Sequence, residues 1–438
     1  MSNLLDRYLT RLQDIQPWLW RGQVVESIGN TIESAGPLAS VGDCCAIEDH
    51  EGSTHLAQVI GFRGSHVISM PLMTSDGIRF GDTVTGLGTR PVLQVGPGVI
   101  GRILDGMGNP IDGASVVDGS TRPMSLDGSL RSPLDRMPIQ TPLSTGIRAL
   151  DGLLTIGRGQ RIGIFGGSGV GKSTLIGMMT RNTDADVTVV GLVGERGREV
   201  REFLEGALGK QGLARSVVVV STSDESPLMR MRAVLTATTI AEYFAAEGKS
   251  VLLIIDSVTR FAMAAREVGL AAGEPPTAKG YTPSVFSCLA KLVERAGNFR
   301  SGSITSFYTV LMEGDDQQDP LVDALRSLLD GHVVLSRRLA AEGWYPPIDL
   351  LDSISRLMPA VTGKEHRANA AVFRRIMSAY ARSEDLVRIG AYKPGTDPDL
   401  DRALRARVEM REFMTQNPEE RVSLVDCVQR LAAIAGEM

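Results

Sequence analysis

The sequence predicts an α/β protein: a largely parallel sheet covered by helices, preceded by a small N-terminal β-barrel and followed by a C-terminal helical domain. Three observations predict it. Short β-rich runs broken by glycine fill the segment from Gly22 to Val95, apolar strands alternate with helical stretches through the middle, and helical periodicity takes over after Pro359. A chain of 438 residues is too long for one ordinary core. The expected divisions are an amphipathic helix over 1–20, a barrel over 21–95, the sheet domain over 96–358 and the helical domain over 359–438.

The first segment places Leu4, Leu5, Tyr8, Leu9 and Leu12 at helical spacing, with Asp6, Arg7 and Arg11 between them. Such a helix folds back on its own domain or docks to a partner or a membrane surface, and the residues leave both readings open. The barrel runs are Gln23–Ile28, Asp43–Ile47, Leu56–Ile60, His66–Met70 and Asp82–Thr85. They carry neither an aromatic series nor a basic run, so packing or ring assembly suits them better than oligonucleotide binding. Residues 96–101, GPGVIG, match G-x-G-x-x-G in form, but a short strand and a turn follow where a dinucleotide site needs a helix. A proline-rich loop then leads into the sheet domain.

That domain carries the chemistry. Residues 166–173 read GGSGVGKS directly after the apolar run Ile162–Phe165. In this pattern Gly166, Gly167, Ser168, Gly169, Val170 and Gly171 turn backbone N–H groups inward on a polyphosphate, Lys172 reaches the β and γ phosphates, and Ser173 can ligate Mg²⁺. The helix opened by Ser173 and Thr174 adds its positive end to the same anion. Further strands are Val187–Val193, Ser216–Ser221 and Val251–Ile255, of which the first ends at Gly194-Glu195 and the last at Asp256. Ligands of parallel sheets bind at such carboxyl ends. Asp256 suits a carboxylate that orders a water on Mg²⁺ beside Ser173, and Glu195 suits one that polarises an attacking water, with a structural pairing to Arg196 or Arg198 as its alternative.

Composition narrows the class. The net charge is −5 and aromatic residues make up 5%, which argues against a dedicated nucleic-acid binder. Cys44, Cys45, Cys288 and Cys427 show no zinc-type spacing and read as reduced and structural, with one of the adjacent pair buried and the other outward. No apolar stretch is long enough to span a bilayer, and no leader is evident, so the expected compartment is the cytosol.

With these motifs in hand, GGSGVGKST, GERGREV at 194–200, LLIIDSVTRFA at 252–262, EPPTAKGYTPSVF at 274–286 and YPPIDLLDSISR at 345–356 resemble the flagellar and type III secretion export ATPases, relatives of the catalytic β-subunit of the rotary ATP synthase. The resemblance runs from about Gly22 to about Arg430. It implies a RecA-like P-loop ATPase core, with ATP and Mg²⁺ as cofactors. By the same resemblance Tyr345 stacks on adenine, Arg196 follows the catalytic glutamate as a phosphate or relay contact, and Arg356 is an arginine finger reaching the neighbouring subunit's site. It implies a homohexamer whose acidic turn, Glu313 to Gln318, lies near the pore.

The partners that the resemblance implies are a dimeric negative regulator at the N-terminal helix, a central coiled-coil stalk protein, the export gate, and complexes of chaperone and cargo. No specific nucleic acid is among them. The implied location is cytoplasmic, peripheral at the inner face of the cytoplasmic membrane. Non-catalytic subunits of the rotary synthase carry glutamine where this chain has Glu195, which disfavours a regulatory role. The run from Ala391 to Asp401, with Tyr392, Gly395 and Asp397, resembles the export members and departs from the rotary β-subunit. SDESPLMRMR at 223–232 and RIGAYKPGTDPDLD at 388–401 favour the flagellar branch over virulence injectisomes. A ring-shaped RNA translocase is the alternative from another class.

Overall fold

The computed structural model describes residues 20–113, 119–128, 132–312 and 319–437. The expected N-terminal helix and the acidic turn at 313–318 lie outside the described residues.

Six antiparallel strands close a barrel in the order Arg21–Ile28, Thr31–Ala35, His66–Pro71, Thr54–Arg63, Cys44–Glu48, Thr83–Gly86. Alternation explains it: Val24, Ile32, Cys45, Ile47, Ala57, Val59, Val67 and Val84 point inward and form a core of their own. Cys45 is buried and Cys44 half-buried, as alternation along a strand requires, and all four cysteines are free thiols. The barrel closes at Gly86. Val92–Val95, expected inside the barrel segment, pairs instead with Arg122–Ser125. Its apolar residues Leu93 and Val95 belong to the core of the sheet domain, which pulls the strand away from the barrel.

A nine-stranded sheet forms the second layer system, with the path Ile348–Ser355, Gly331–Leu335, Arg161–Gly166, Ser303–Leu311, Ser250–Asp256, Val187–Glu195, Ser216–Thr222, Ile103–Leu104, and with Gly297–Asn298 pairing Ser303–Leu311 off that path. Pairing is parallel along this path except at its first edge, where Ile348–Ser355 runs antiparallel to Gly331–Leu335. The central strands are apolar on both faces because helices cover both, and two separate core clusters result. Ile103–Leu104, just past GPGVIG, joins the far edge beside Ser216–Thr222 as a strand.

The C-terminal domain is helical: Lys364–Arg388, Pro398–Arg405, Arg407–Met414 and Leu424–Glu437. In the first helix His366, Ala370, Phe373, Ile376 and Ala379 form the buried stripe, with Val372 and Tyr380 on its margin. In the last, Cys427, Leu431 and Ile434 face inward, whereas Val425 is 64% exposed. Two residues of helix separate Val425 from Cys427, a rotation of about 200° that turns it away from the core. The Tyr392 hydroxyl donates to Asp401 Oδ1 at 2.9 Å, and Asp397 caps the next helix by accepting from the backbone of Asp399 and Leu400. Among the described residues no helix is long and apolar enough to cross a membrane.

Candidate functional site

The phosphate loop leaves strand Arg161–Gly166 and enters helix Lys172–Asn182. Gly171 starts that helix at φ 93°, a left-handed conformation that residues bearing a Cβ rarely adopt. The loop has two sides. Val170 is buried in the core and anchors it, while Ser168, Gly169, Ser173 and Thr174 are exposed toward a cleft. Lys172 Nζ donates to the carbonyls of Gly166 at 3.0 Å and Gly167 at 2.6 Å, so the side chain curls over its own loop. Burial holds its ammonium below the usual lysine range, opposed by the charges of Asp256 and Glu195.

Strand Ser303–Leu311 lies between the phosphate-loop strand and the strand ending at Asp256. This intervening strand supplies a group that the sequence motifs do not flag. Thr309 Oγ1 donates to Asp256 Oδ1 at 2.6 Å and fixes the carboxylate at the sheet's carboxyl edge. Burial pushes the Asp256 carboxyl up, against the Thr309 hydrogen bond and the charge of Lys172.

Glu195 ends the next strand, and its position depends on an irregularity. The register with Ser216–Thr222 shifts between Val193 and Glu195, where Gly194 adopts φ 71°. A Cβ on Gly194 would stand 2.8 Å from the Arg260 side chain, so only glycine allows the bulge and the arginine to coexist. Bulges of this kind re-aim a side chain. Partial burial is the main cause that pushes the Glu195 carboxyl up to about 7, followed by hydrogen bonding to Glu199 and the charge of Asp256, while Arg260 opposes it.

Ser168, Gly169, Gly171, Lys172, Ser173, Thr174, Glu195 and Asp256 line one cleft of about 620 Å³, a volume suited to a nucleotide-sized ligand. Pro418 and Glu419 of the helical domain form part of its wall, and Arg181 donates to the Pro418 carbonyl at 2.8 Å. The Tyr345 ring, 49% exposed, sits beside the loop, with its Cε1 3.8 Å from where a Cβ on Gly171 would be. Gln416 N donates to the Tyr345 carbonyl at 2.8 Å and ties this aromatic loop to the helical domain.

Two expected arginines stand apart from this cleft. Arg196 is exposed and, among the described residues, its guanidinium reaches only Glu199, at 3.9 Å. Arg356 follows the antiparallel edge strand, whose end pairs with the beginning of Gly331–Leu335. It therefore lies at the amino end of the parallel strands, roughly 17 Å of strand away from the carboxyl edge that carries the phosphate loop. Its own chain gives it little to do there beyond a 3.3 Å hydrogen bond to the Arg326 carbonyl.

Sequence reasoning missed Arg260, Glu199, Arg337 and Thr309. Arg260 faces Glu195, and its Nε is buried with no hydrogen-bond partner among the described residues. The Arg337 guanidinium lies against Gly167, 2.3 Å from where a Cβ would be. Arg260 follows Asp256 by four residues, so one helical turn could have flagged it; Thr309 and Arg337 lie on other elements and carry no such signal.

Chemically the cleft presents the glycine-rich loop, the Lys172 cation, and two carboxylates whose protonation burial favours, with Arg260 facing one of them, Glu195. Hard oxygen donors from Asp256 and the exposed Ser173 hydroxyl fit Mg²⁺.

Comparison with known proteins agrees in all three regions. The model of the ATP synthase alpha/beta family, nucleotide-binding domain, matches residues 146–355, that family's beta-barrel domain matches 24–88, and the T3SS EscN ATPase C-terminal domain matches 362–433. The flagellum-specific ATP synthase of Treponema pallidum is 49% identical over 436 residues, covering 99% of this chain and 97% of that protein. Among solved structures, the assembled ATPase EscN from the enteropathogenic E. coli type III secretion system superposes with a TM-score of 0.90 at 44% identity, covering 94% of this chain and all of that one. EscN in complex with its central stalk EscO gives 0.87 at 43% identity, with 94% and 100% coverage.

Proposed function

Because the chain belongs to the family of flagellum-specific and type III secretion ATPases, we propose that it hydrolyses ATP as a homohexameric ring that energises protein export, in the flagellar branch. The observation that carries this reading is the cleft itself, where Lys172, Glu195 and Asp256 converge from three strands of one sheet. Flagellum-specific relatives reach 51% identity, against 46% for the type III secretion ATPases, which supports the branch.

In the proposed mechanism the loop amides and Lys172 hold the triphosphate, and Tyr345 offers its ring to adenine. Ser173 and Asp256 would hold Mg²⁺, Asp256 through water and oriented by Thr309. Bound there, the ion would supply positive charge against the triphosphate. Glu195, aimed by the Gly194 bulge, orients the attacking water and accepts its proton. Arg260 stabilises charge developing on the γ phosphate. Arg356 acts on the neighbouring subunit's site, which accounts for its distance from its own cleft; Arg196 serves as a relay toward that interface. Hydrolysis then depends on ring formation, with charge relief worth roughly 10³–10⁵ in rate supplied in trans.

The ring would work at the cytoplasmic face of the membrane, with a central stalk as EscN has, releasing and unfolding chaperone-bound cargo at the export gate. A dimeric regulator would engage residues 1–20. The test is ATPase activity measured against protein concentration, with and without RNA. A sigmoidal, RNA-independent rise is expected. Activity that scales linearly with protein and is stimulated by RNA would favour a nucleic-acid translocase and overturn the proposal.

A further inference from the structure

We infer that the seam between barrel and sheet domain holds a binding site for a small amphiphilic carboxylate, with Arg232 as its cationic partner.

Arg232 lies on helix Pro227–Ala246 and is only 8% exposed. Its Nε is buried without a hydrogen-bond partner, and no carboxylate lies within ion-pair distance of the guanidinium among the described residues. Burial lowers its proton affinity, and the groups that oppose this are Cys44 and Asp105. Asp105 is engaged elsewhere, accepting from the backbone of Met107 and Asn109 at 2.8 Å. A buried cation lacking a counter-ion carries an uncompensated desolvation cost. An incoming anion removes that cost.

The space for such an anion exists. Arg232 lines a cavity of about 300 Å³ at the seam and also a second of about 320 Å³. Leu56, Leu72, Val92 and Met107 make the first cavity apolar, Cys44 and Thr89 add a thiol and a hydroxyl, its other arginine, Arg90, is ion-paired with Asp127 at 3.0 Å, and no carboxylate lines it among the described residues. Its volume equals about ten water volumes of ~30 Å³. That admits a carboxylate with a short alkyl tail and is too small for a nucleotide. Apolar walls alone would take any small hydrophobe; the unpaired guanidinium selects an anionic head. The site is separate from the nucleotide cleft and shares no lining residue with it.

The probes are octanoate, octanol as the same tail without charge, and inorganic phosphate as charge without a tail. Binding to the full chain is followed by calorimetry and by the rate of Cys44 alkylation, resolved from the other cysteines by peptide mass spectrometry. Octanoate is expected to bind saturably, at least tenfold tighter than octanol or phosphate, and to slow Cys44 alkylation at least tenfold. Arg232→Met should weaken octanoate at least tenfold, leave octanol unchanged and keep ATP hydrolysis. Arg232→Lys, which retains the charge, should preserve part of the affinity if the methionine variant does not fold. Equal binding of octanoate and octanol, or octanoate binding that survives Arg232→Met, overturns the site. Shielding of Cys44 by ring assembly alone, with no effect of octanoate on dilute protein, assigns the cavity to a neighbouring copy and also overturns it.

Discussion

Replacing Glu195 with glutamine separates catalysis from stability in a way that depends on pH. In the folded, nucleotide-free chain the Glu195 carboxyl is pushed from 4.5 up to about 7, chiefly by burial. Because the folded value lies above the unfolded one, the stabilisation is fully present below pH 4.5 and is lost as pH rises through 7. At about 1.4 kcal/mol per unit the full shift is worth roughly 3 kcal/mol. The carboxyl is only partly buried, and solvent screening reduces this to about 1–2 kcal/mol. Glutamine mimics the protonated acid at every pH. Glu195→Gln should therefore melt close to the wild type near pH 5 but about 4 °C above it near pH 8, taking roughly 2–4 °C per kcal/mol for a domain of this size. The measurement is thermal unfolding in EDTA without nucleotide, paired with an ATPase assay in which the variant binds ATP and does not turn it over. A melting offset that is the same at both pH values, or negative near pH 8, refutes the reasoning, as does full activity.

Three further substitutions probe the rest of the site. Thr309→Val removes the 2.6 Å donor to Asp256, and loss of such an outer partner costs roughly 10–100-fold in metal affinity, so the Mg²⁺ concentration for half-maximal hydrolysis should rise by that factor; an unchanged Mg²⁺ titration would remove Thr309 from the site. Arg356→Ala should lose activity by roughly 10³-fold or more while folding normally, and mixing it with Glu195→Gln should restore measurable turnover, because a mixed ring pairs an intact finger with an intact base. Failure of the mixture to recover any activity would argue that finger and base belong to one chain. Tyr345→Ala should raise the half-saturating ATP concentration by about 5–100-fold through lost stacking, with turnover at saturation kept and Tyr345→Phe near wild type; equal affinity in the alanine variant would place adenine elsewhere.

The parts of the site that a linear motif can carry were legible in the sequence. The phosphate loop, Glu195 and Asp256 each sit where an apolar strand stops, and strand ends are readable from hydrophobic runs. Thr309 was not legible, since its role depends on its strand being inserted between two others, 53 residues from the carboxylate it serves. Arg337 likewise meets the loop only through folding. The barrel strands emerged from alternation, except Thr31–Ala35, whose polar Glu33 and Ser34 hid it, and Val92–Val95, whose partner strand decides its membership.

Arg148 reaches from the sheet domain into the helical domain, meeting the carbonyls of Phe413 and Thr415 and the carboxylate of Glu420, while Gln416 bonds back to Gly146 and to the loop of Tyr345. The stretch from Thr415 to Glu420 is therefore at once a strut between domains and a wall of the cleft. Thermodynamic reciprocity follows. Whatever factor ATP imposes on the affinity of a protein gripping the helical domain, that protein imposes the same factor on the affinity for ATP. A load on the C-terminal helices would then be sensed as a change in nucleotide dissociation constant, so that grip and fuel become two readings of one equilibrium.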